Sequence, residues 1–229
     1  LVLAATSVHP ERTGVQIALL ETLLRHGAQI DRAASAGNRL PIVMACLANG
    51  RAPAAEFFAT RGAQLNLEEA AGVGRLDVVR NFFNQDGSLK ANVTSEQMVS
   101  GFLWACGYGR NDVLAFLLDK GFDLGARDAA GQTGLHWAAM NGNLGGVQLL
   151  LARGVPLEVK NVYGGTVLGQ TLWSAAHAAD PDAFVSTVET LLAAGARVPE
   201  RHAAISQRMD ALLQQHGSVA DGSLSWDGE

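Results

Sequence analysis

The 229 residues carry 17 Lys and Arg against 22 Asp and Glu, a formal net charge of −5, with no basic cluster anywhere along the chain. That balance argues against the electrostatic footprint of a nucleic-acid binder. The longest apolar run, from Ile42 to Ala48, is far short of the roughly 20 residues a membrane-spanning helix needs. Two cysteines, Cys46 and Cys106, are too few and too far apart for a disulfide framework and read as buried thiols of a cytoplasmic protein.

In chain order the sequence reads as short helix pairs, each closed by a glycine. The chain opens at Leu1-Val2-Leu3-Ala4-Ala5, already inside a helix, which implies a natural start further upstream. Thr6 to Thr13 reads as an inserted loop with His9 and Pro10 facing solvent, after which Leu20, Leu23, Leu24 and Gly27 complete a second helix. Pro41 to Cys46 opens the next pair, and Phe57-Phe58 stands where a Leu pair is expected. A third pair follows Asn66 with no turn residues, Leu67 to Ala71 and then an ordinary second helix over Leu76 to Phe83. A polar connector, Ser88 to Gln97, leads to Phe102-Leu103-Trp104-Ala105-Cys106 and Val113 to Leu118.

The fifth copy, Asp128 to Asn161, is the most regular. Gly131 suits a turn that needs positive φ, Thr133 reads as an N-cap, and His136 stands three residues on, where a capping-box partner would stand. Val147, Leu149, Leu150 and Leu151 drive the second helix to its stop at Gly154. Helices of about eight residues cannot stand alone, so the unit must stack on copies of itself. Those copies exist: the closing glycine recurs at 27, 62, 87, 121, 154 and 195, with the neighbouring 87–121 and 121–154 steps setting a period near 33. The sixth copy opens at Asn161-Val162-Tyr163-Gly164-Gly165-Thr166 and carries an insertion around Ser174 to Asp182. Pro199 to Gly217 mixes Met209, Leu212 and Leu213 with polar residues, as an end cap does, and 218–229 reads as a flexible tail despite Trp226.

The unit resembles the ankyrin repeat. The hallmark T-P-L-H-x-A-A stands here as Thr133-Gly134-Leu135-His136-Trp137-Ala138-Ala139, with Gly in place of Pro, and the closing G-A-x-x segment recurs as Gly27-Ala28-Gln29-Ile30-Asp31 and Gly62-Ala63-Gln64-Leu65-Asn66. Tyr163-Gly164-Gly165-Thr166 is similar to bacterial members, which implies a bacterial source. The resemblance implies an all-α ankyrin-repeat solenoid of stacked helix-turn-helix units with about six repeats and a C-terminal cap. The expected array is a single one over 1–217, with repeats at 1–36, 37–66, 67–89, 95–127, 128–160 and 161–198 and the cap at 199–217.

In that family the turns project as fingers, the first helices line a concave palm, and partners dock there. Carried over by position, the finger residues include Gln97, Val99, Gln132 and Tyr163, and the palm residues include Tyr108, Met140, Asn141 and Trp173. Tyr108, Met140, Tyr163 and Trp173 would form a semi-apolar strip, of the kind that anchors protein interfaces. The alternative is that Trp173 and Tyr163 pack against the nearby insertion. Trp104 and Trp137 occupy places of core leucines and are expected in the core.

The chain contains no G-x-S-x-G, H-E-x-x-H, G-x-x-x-x-G-K-[ST] or C-x-x-C motif. His177 near Asp180 and Asp182 is the one constellation with metal or acid–base chemistry, and it reads more simply as a solvated histidine in a long turn. The sequence therefore points to a monomeric, cofactor-free, non-enzymatic module that binds a protein or peptide, with no nucleic-acid or membrane partner. The rival is an enzyme or a small-molecule or metal-binding protein whose pocket is formed by the shortened third repeat and the insertions.

Overall fold

The computed structural model describes residues 1–30 and 40–226. The junction of the first two expected repeats, at 36 and 37, lies outside the described residues. The chain divides into two compact units, Leu1–Gly101 and Phe102–Glu229, where the sequence reading draws one array over 1–217. Each unit is built from short helices, and among the described residues none is long and apolar enough to cross a membrane.

The first unit holds α1 (Val2–Thr6), α2 (Val8–Arg12), α3 (Gln16–Arg25), α4 (Ile42–Ala48), α5 (Ala52–Thr60), α6 (Leu67–Gly72), α7 (Leu76–Val79) and the start of α8 (Ser95–Gly107). The expected loop at Thr6 to Thr13 is instead largely helical. Ser7 sits in extended geometry between α1 and α2, and Gln16 resolves the abrupt end of α1. Its buried Nε2 donates to the carbonyls of Ala4, Ala5 and Ser7 at 3.0–3.2 Å, supplying partners to groups a helix end leaves orphaned. Helix α4 packs against α1, α5 and α6, and Phe58, Leu47 and Leu67 are fully buried.

The third expected pair departs further. Helix α7 has only four residues and tightens into a 3₁₀ turn at Arg80–Phe82, so the second helix is not ordinary. Gly87 does not stop a helix. It closes a turn with Asn84, between Phe83 and Leu89, which meet in an antiparallel bridge. The following connector also ends early, because Thr94-Ser95-Glu96-Gln97 is itself a helix start. Gln97 N–H donates to Thr94 Oγ1 and Thr94 N–H donates to Gln97 Oε1, both at 3.2 Å.

The second unit continues from the end of α8 through α9 (Asn111–Asp119), α10 (Gly134–Met140), α11 (Leu144–Leu151), α12 (Val167–Ala176), α13 (Val185–Ala193) and α14 (Gln207–Gln215). First helices pack on first helices, α10 against α12, and second helices likewise, with α11 between α9 and α13. Leu114, Leu117, Leu135, Leu150, Leu168, Leu172 and Leu191 form the buried seam. Within α11, Gly145 and Gly146 weaken the helix intrinsically but leave room for neighbours. A Cβ on Gly145 would lie 2.5 Å from Asn111 Nδ2, and one on Gly146 only 2.3 Å from Asn143 Nδ2. Asn143 uses that space to donate to the Cys106 carbonyl at 2.8 Å and to Asn111 Oδ1 at 3.2 Å.

The segment expected as a flexible tail is partly ordered. Val219–Ala220 (β2) pairs in parallel with Arg201–His202 (β1), and α14 lies between them in sequence. The reason is a buried polar knot rather than apolar content: His202 Nδ1 lies 2.8 Å from Ser218 Oγ, and its Nε2 lies 3.3 Å from Asp210 Oδ1. Both His202 and Ser218 are buried.

Candidate interaction surface

Two successive turns, Asp128–Thr133 and Asn161–Thr166, are built alike 33 residues apart. Asp128 N–H donates to the Gln132 carbonyl at 3.1 Å and Asn161 N–H to that of Gly165 at 3.0 Å. The side chains repeat the arrangement: Asp128 Oδ1 accepts from Gln132 N–H and Asn161 Oδ1 from Gly165 N–H, each at 2.9 Å. Gly131 and Gly164 supply the positive φ, 74° and 79°, that lets each tip reverse. The two tips are joined by Val162 N–H donating to the Ala130 carbonyl at 2.9 Å.

A residue nine positions after each turn's start reaches back to brace it. Trp137 Nε1 donates to Asp128 Oδ2 at 2.9 Å, and in the next copy Asn161 Nδ2 donates to Gln170 Oε1 at 3.2 Å. This corrects the expectation for the tryptophans: Trp137 and Trp104 are both half-buried, not core. The Trp137 ring lies against Gly107, where an added Cβ would meet Cε3 at 2.8 Å, and its polar edge is spent on the turn. The core positions fall to Phe102 and Leu135 instead.

His136 ties the two copies together. Thr133 N–H donates to its Nδ1 at 3.2 Å, which places the ring proton on Nε2, 3.4 Å from the Gly165 carbonyl. Burial of the ring pushes its pKa below the ordinary 6.5 and favours this neutral form, against the raising effect of the Gly165 carbonyl and Asp128. The glycine that replaces the expected proline, Gly134, has its own reason. A Cβ there would sit 2.5 Å from the Phe102 ring and 3.0 Å from Cys106 Sγ.

Around this frame stand the residues singled out by sequence. Tyr163, at the second tip, is 82% exposed, and its neighbour Val162 is 65% exposed. Met140 ends α10 and is half-buried, while Trp173, its counterpart 33 residues on, is 44% exposed on the packed neighbour α12. Trp173 stacks on His177 at 4.2 Å between ring centroids, so its ring does rest in part on the sixth-copy insertion. Tyr108 is half-buried just past the end of α8. Asn141 is exposed and donates from Nδ2 to the Trp137 carbonyl at 2.9 Å. Gln132 contributes its backbone N–H to the Asp128 turn. Gln97 and Val99 are not finger residues at all: they belong to the first two turns of α8, and Gln97 is spent on the capping box. The T-x-x-Q spacing at 94–97 was the signal for this.

The suspected metal or acid–base group does not assemble. His177 Nδ1 lies 2.7 Å from the Trp173 carbonyl, Asp180 caps the short 3₁₀ turn at Pro181–Phe184, and Asp182 Oδ1 accepts from Ser206 Oγ at 2.6 Å. Among the described residues no group of three His, Cys, Asp or Glu side chains is placed to hold a metal ion. Cys46 and Cys106 are free and buried, and burial pushes the Cys46 thiol up to about 12 and raises that of Cys106 as well.

Comparison with known proteins matches residues 102–151 to the family described as ankyrin repeats (many copies). A 65-residue stretch is 43% identical to inversin of Danio rerio, covering 26% of this chain and 6% of that protein. The chain thus corresponds to a small fraction of the length of that relative.

Proposed function

We propose that this chain, whose residues 102–151 match the ankyrin-repeat family, is a non-enzymatic interaction module whose second unit holds a protein or peptide through its turn tips and the Met140–Trp173 face. Repeats of this family generally mediate protein–protein interaction. The observation that carries the specific reading is the pair Tyr163 and Trp173. Both are large and exposed, and both are held on backbone that hydrogen bonds fix from either side. Exposed aromatic side chains on rigid supports bind with little ordering cost. Met140, Asn141, Tyr108 and Gln132 border this face in the proposal, and Gln97 is omitted because its side chain caps α8.

The proposed repeat count stays at about six with α14 as the terminal cap, supported by the recurring glycine stops with positive φ at 27, 62, 121, 154 and 195. A cytoplasmic, monomeric, bacterial protein is part of the same proposal, and two buried, unpaired thiols suit a reducing compartment. The test is quantitative affinity capture with wild type and the double variant Tyr163→Ala/Trp173→Ala, both checked for an unchanged melting curve. At least a tenfold loss of the captured partner is expected. Equal capture by the two proteins would remove this face from the interface.

A further inference from the structure

We infer that the C-terminal segment is an intramolecular occupant of the Trp173 face, so that a partner binding there must displace it. Beyond β2, Asp221 organises a tight turn: its Oδ1 accepts from Ser223 N–H at 2.9 Å and from Ser223 Oγ at 2.7 Å, and Leu224 N–H returns to the Asp221 carbonyl at 3.1 Å. Asp221 is itself anchored, with its N–H on the His202 carbonyl at 2.8 Å and its carboxylate paired with Arg201. The turn delivers Trp226, whose Nε1 donates to the Ala203 carbonyl at 3.0 Å. The carbonyl of Trp226 then accepts from Trp173 Nε1 at 3.1 Å, across 53 residues of sequence.

Trp173 therefore has its single indole donor engaged by the chain's own tail, while 44% of its surface stays open. The hold is light. Gly222, Ser223, Leu224 and Ser225 are exposed, and Leu224 offers its side chain to solvent instead of to the face. Two indole hydrogen bonds hold Trp226, one to Ala203 and one from Trp173, so local opening of this last turn, with Asp221 still anchored, is enough for a partner to meet the open form. A tail docked about nine-tenths of the time lowers a competitor's apparent affinity about tenfold. The competition rests on the Trp173 face being the interaction surface proposed above, whereas docking of the tail does not.

The experiment uses the full chain and a labelled synthetic peptide with the sequence of residues 221–229, titrated by fluorescence anisotropy. Trp226→Ala removes the anchor in cis, and Trp226→Phe keeps a ring but loses the indole donor as a gentler control for folding. Saturable peptide binding at least tenfold tighter to the Trp226→Ala chain than to wild type is expected, intermediate for Trp226→Phe, and lost when Trp173→Ala is added. The Trp173 indole N–H should exchange with solvent about tenfold faster in Trp226→Ala. Equal peptide affinity for all chains, or no saturable binding to any, overturns the inference. Partner capture that depends on Trp173 yet is unchanged by Trp226→Ala overturns the competition and leaves the interaction reading standing. Capture indifferent to Trp173 overturns that reading, while tighter peptide binding by the Trp226 variants still supports the docked tail.

Discussion

Replacing His136 separates two jobs that one buried ring performs. His136→Ala strands the buried Thr133 N–H, which costs about 1–3 kcal/mol, and drops the Nε2 contact with the Gly165 carbonyl, worth about 1 more, so a loss of about 2–4 kcal/mol is expected. His136→Gln is the informative partner. Gln97 already fills the equivalent role at α8, accepting from Thr94 N–H at 3.2 Å, so a glutamine at 136 restores the cap but not the reach to the Gly165 carbonyl. Its cost should be about 1 kcal/mol. The two variants also differ from wild type in pH dependence. The folded pKa of His136 is depressed by burial, so the unfolded chain binds the proton first as pH falls. Wild-type stability from this residue is complete above 6.5 and drains below it until the folded ring protonates, at up to about 1.4 kcal/mol per pH unit. Urea melts at pH 7.5 and 5.5, followed by tryptophan fluorescence, measure both effects. A glutamine variant with the same pH sensitivity as wild type, or an alanine variant less than about 0.5 kcal/mol weaker, would refute the assignment of His136 as a neutral bridge between copies.

The adjacent leucines of α11 should respond unequally. Leu150 is 1% exposed whereas Leu149 is half-buried, so Leu150→Ala should cost about 2–5 kcal/mol and Leu149→Ala less than half as much. Equal losses in urea titrations would contradict the placement of the helix between α9 and α13. At the motif's departure point, Gly134→Ala puts a methyl 2.5 Å from the Phe102 ring and should destabilise by about 1–3 kcal/mol, although alanine favours helices. Combining it with Phe102→Leu should recover part of the loss, and no recovery would mean that the Phe102 contact is not the cause.

Helix pairs, glycine stops and the Thr133–His136 cap were legible in the sequence because each is a local rule written within a few residues. Gly27, Gly62, Gly121, Gly154 and Gly195 all take the positive φ their places demand. What the sequence hid was set by partners far along the chain. The loop after Thr6 is helical because Gln16 satisfies the carbonyls of α1, a contact nine to twelve residues away. The tail is partly ordered because Ser218 meets a buried His202. Trp137 left the core because Asp128 offers its indole an acceptor, which hydrophobicity alone does not register. Two misses were avoidable. Asn66-Leu67-Glu68-Glu69 and Thr94-Ser95-Glu96-Gln97 are both capping boxes at full strength, and reading them would have moved Gln97 off the candidate surface.

The paired turns also explain how the tip residues can vary without the turns losing their shape. Between the two copies Asp128 becomes Asn161 and Trp137 becomes Gln170, yet the same two positions stay bonded with the donor reversed, Trp137 donating to Asp128 in one and Asn161 to Gln170 in the other. The supporting positions tolerate this exchange because geometry, not identity, is what they supply. The tips carry none of that load through their side chains: Ala129-Ala130 in one copy stands where Val162-Tyr163 stands in the next, and the backbone link between them runs from N–H to carbonyl. In the proposed interface, residues that face a partner are thereby separated from residues that hold the turn. Substitution at 162 or 163 should leave stability nearly untouched and, if the proposed interface holds, alter recognition, whereas substitution at 128, 136 or 161 should do the reverse.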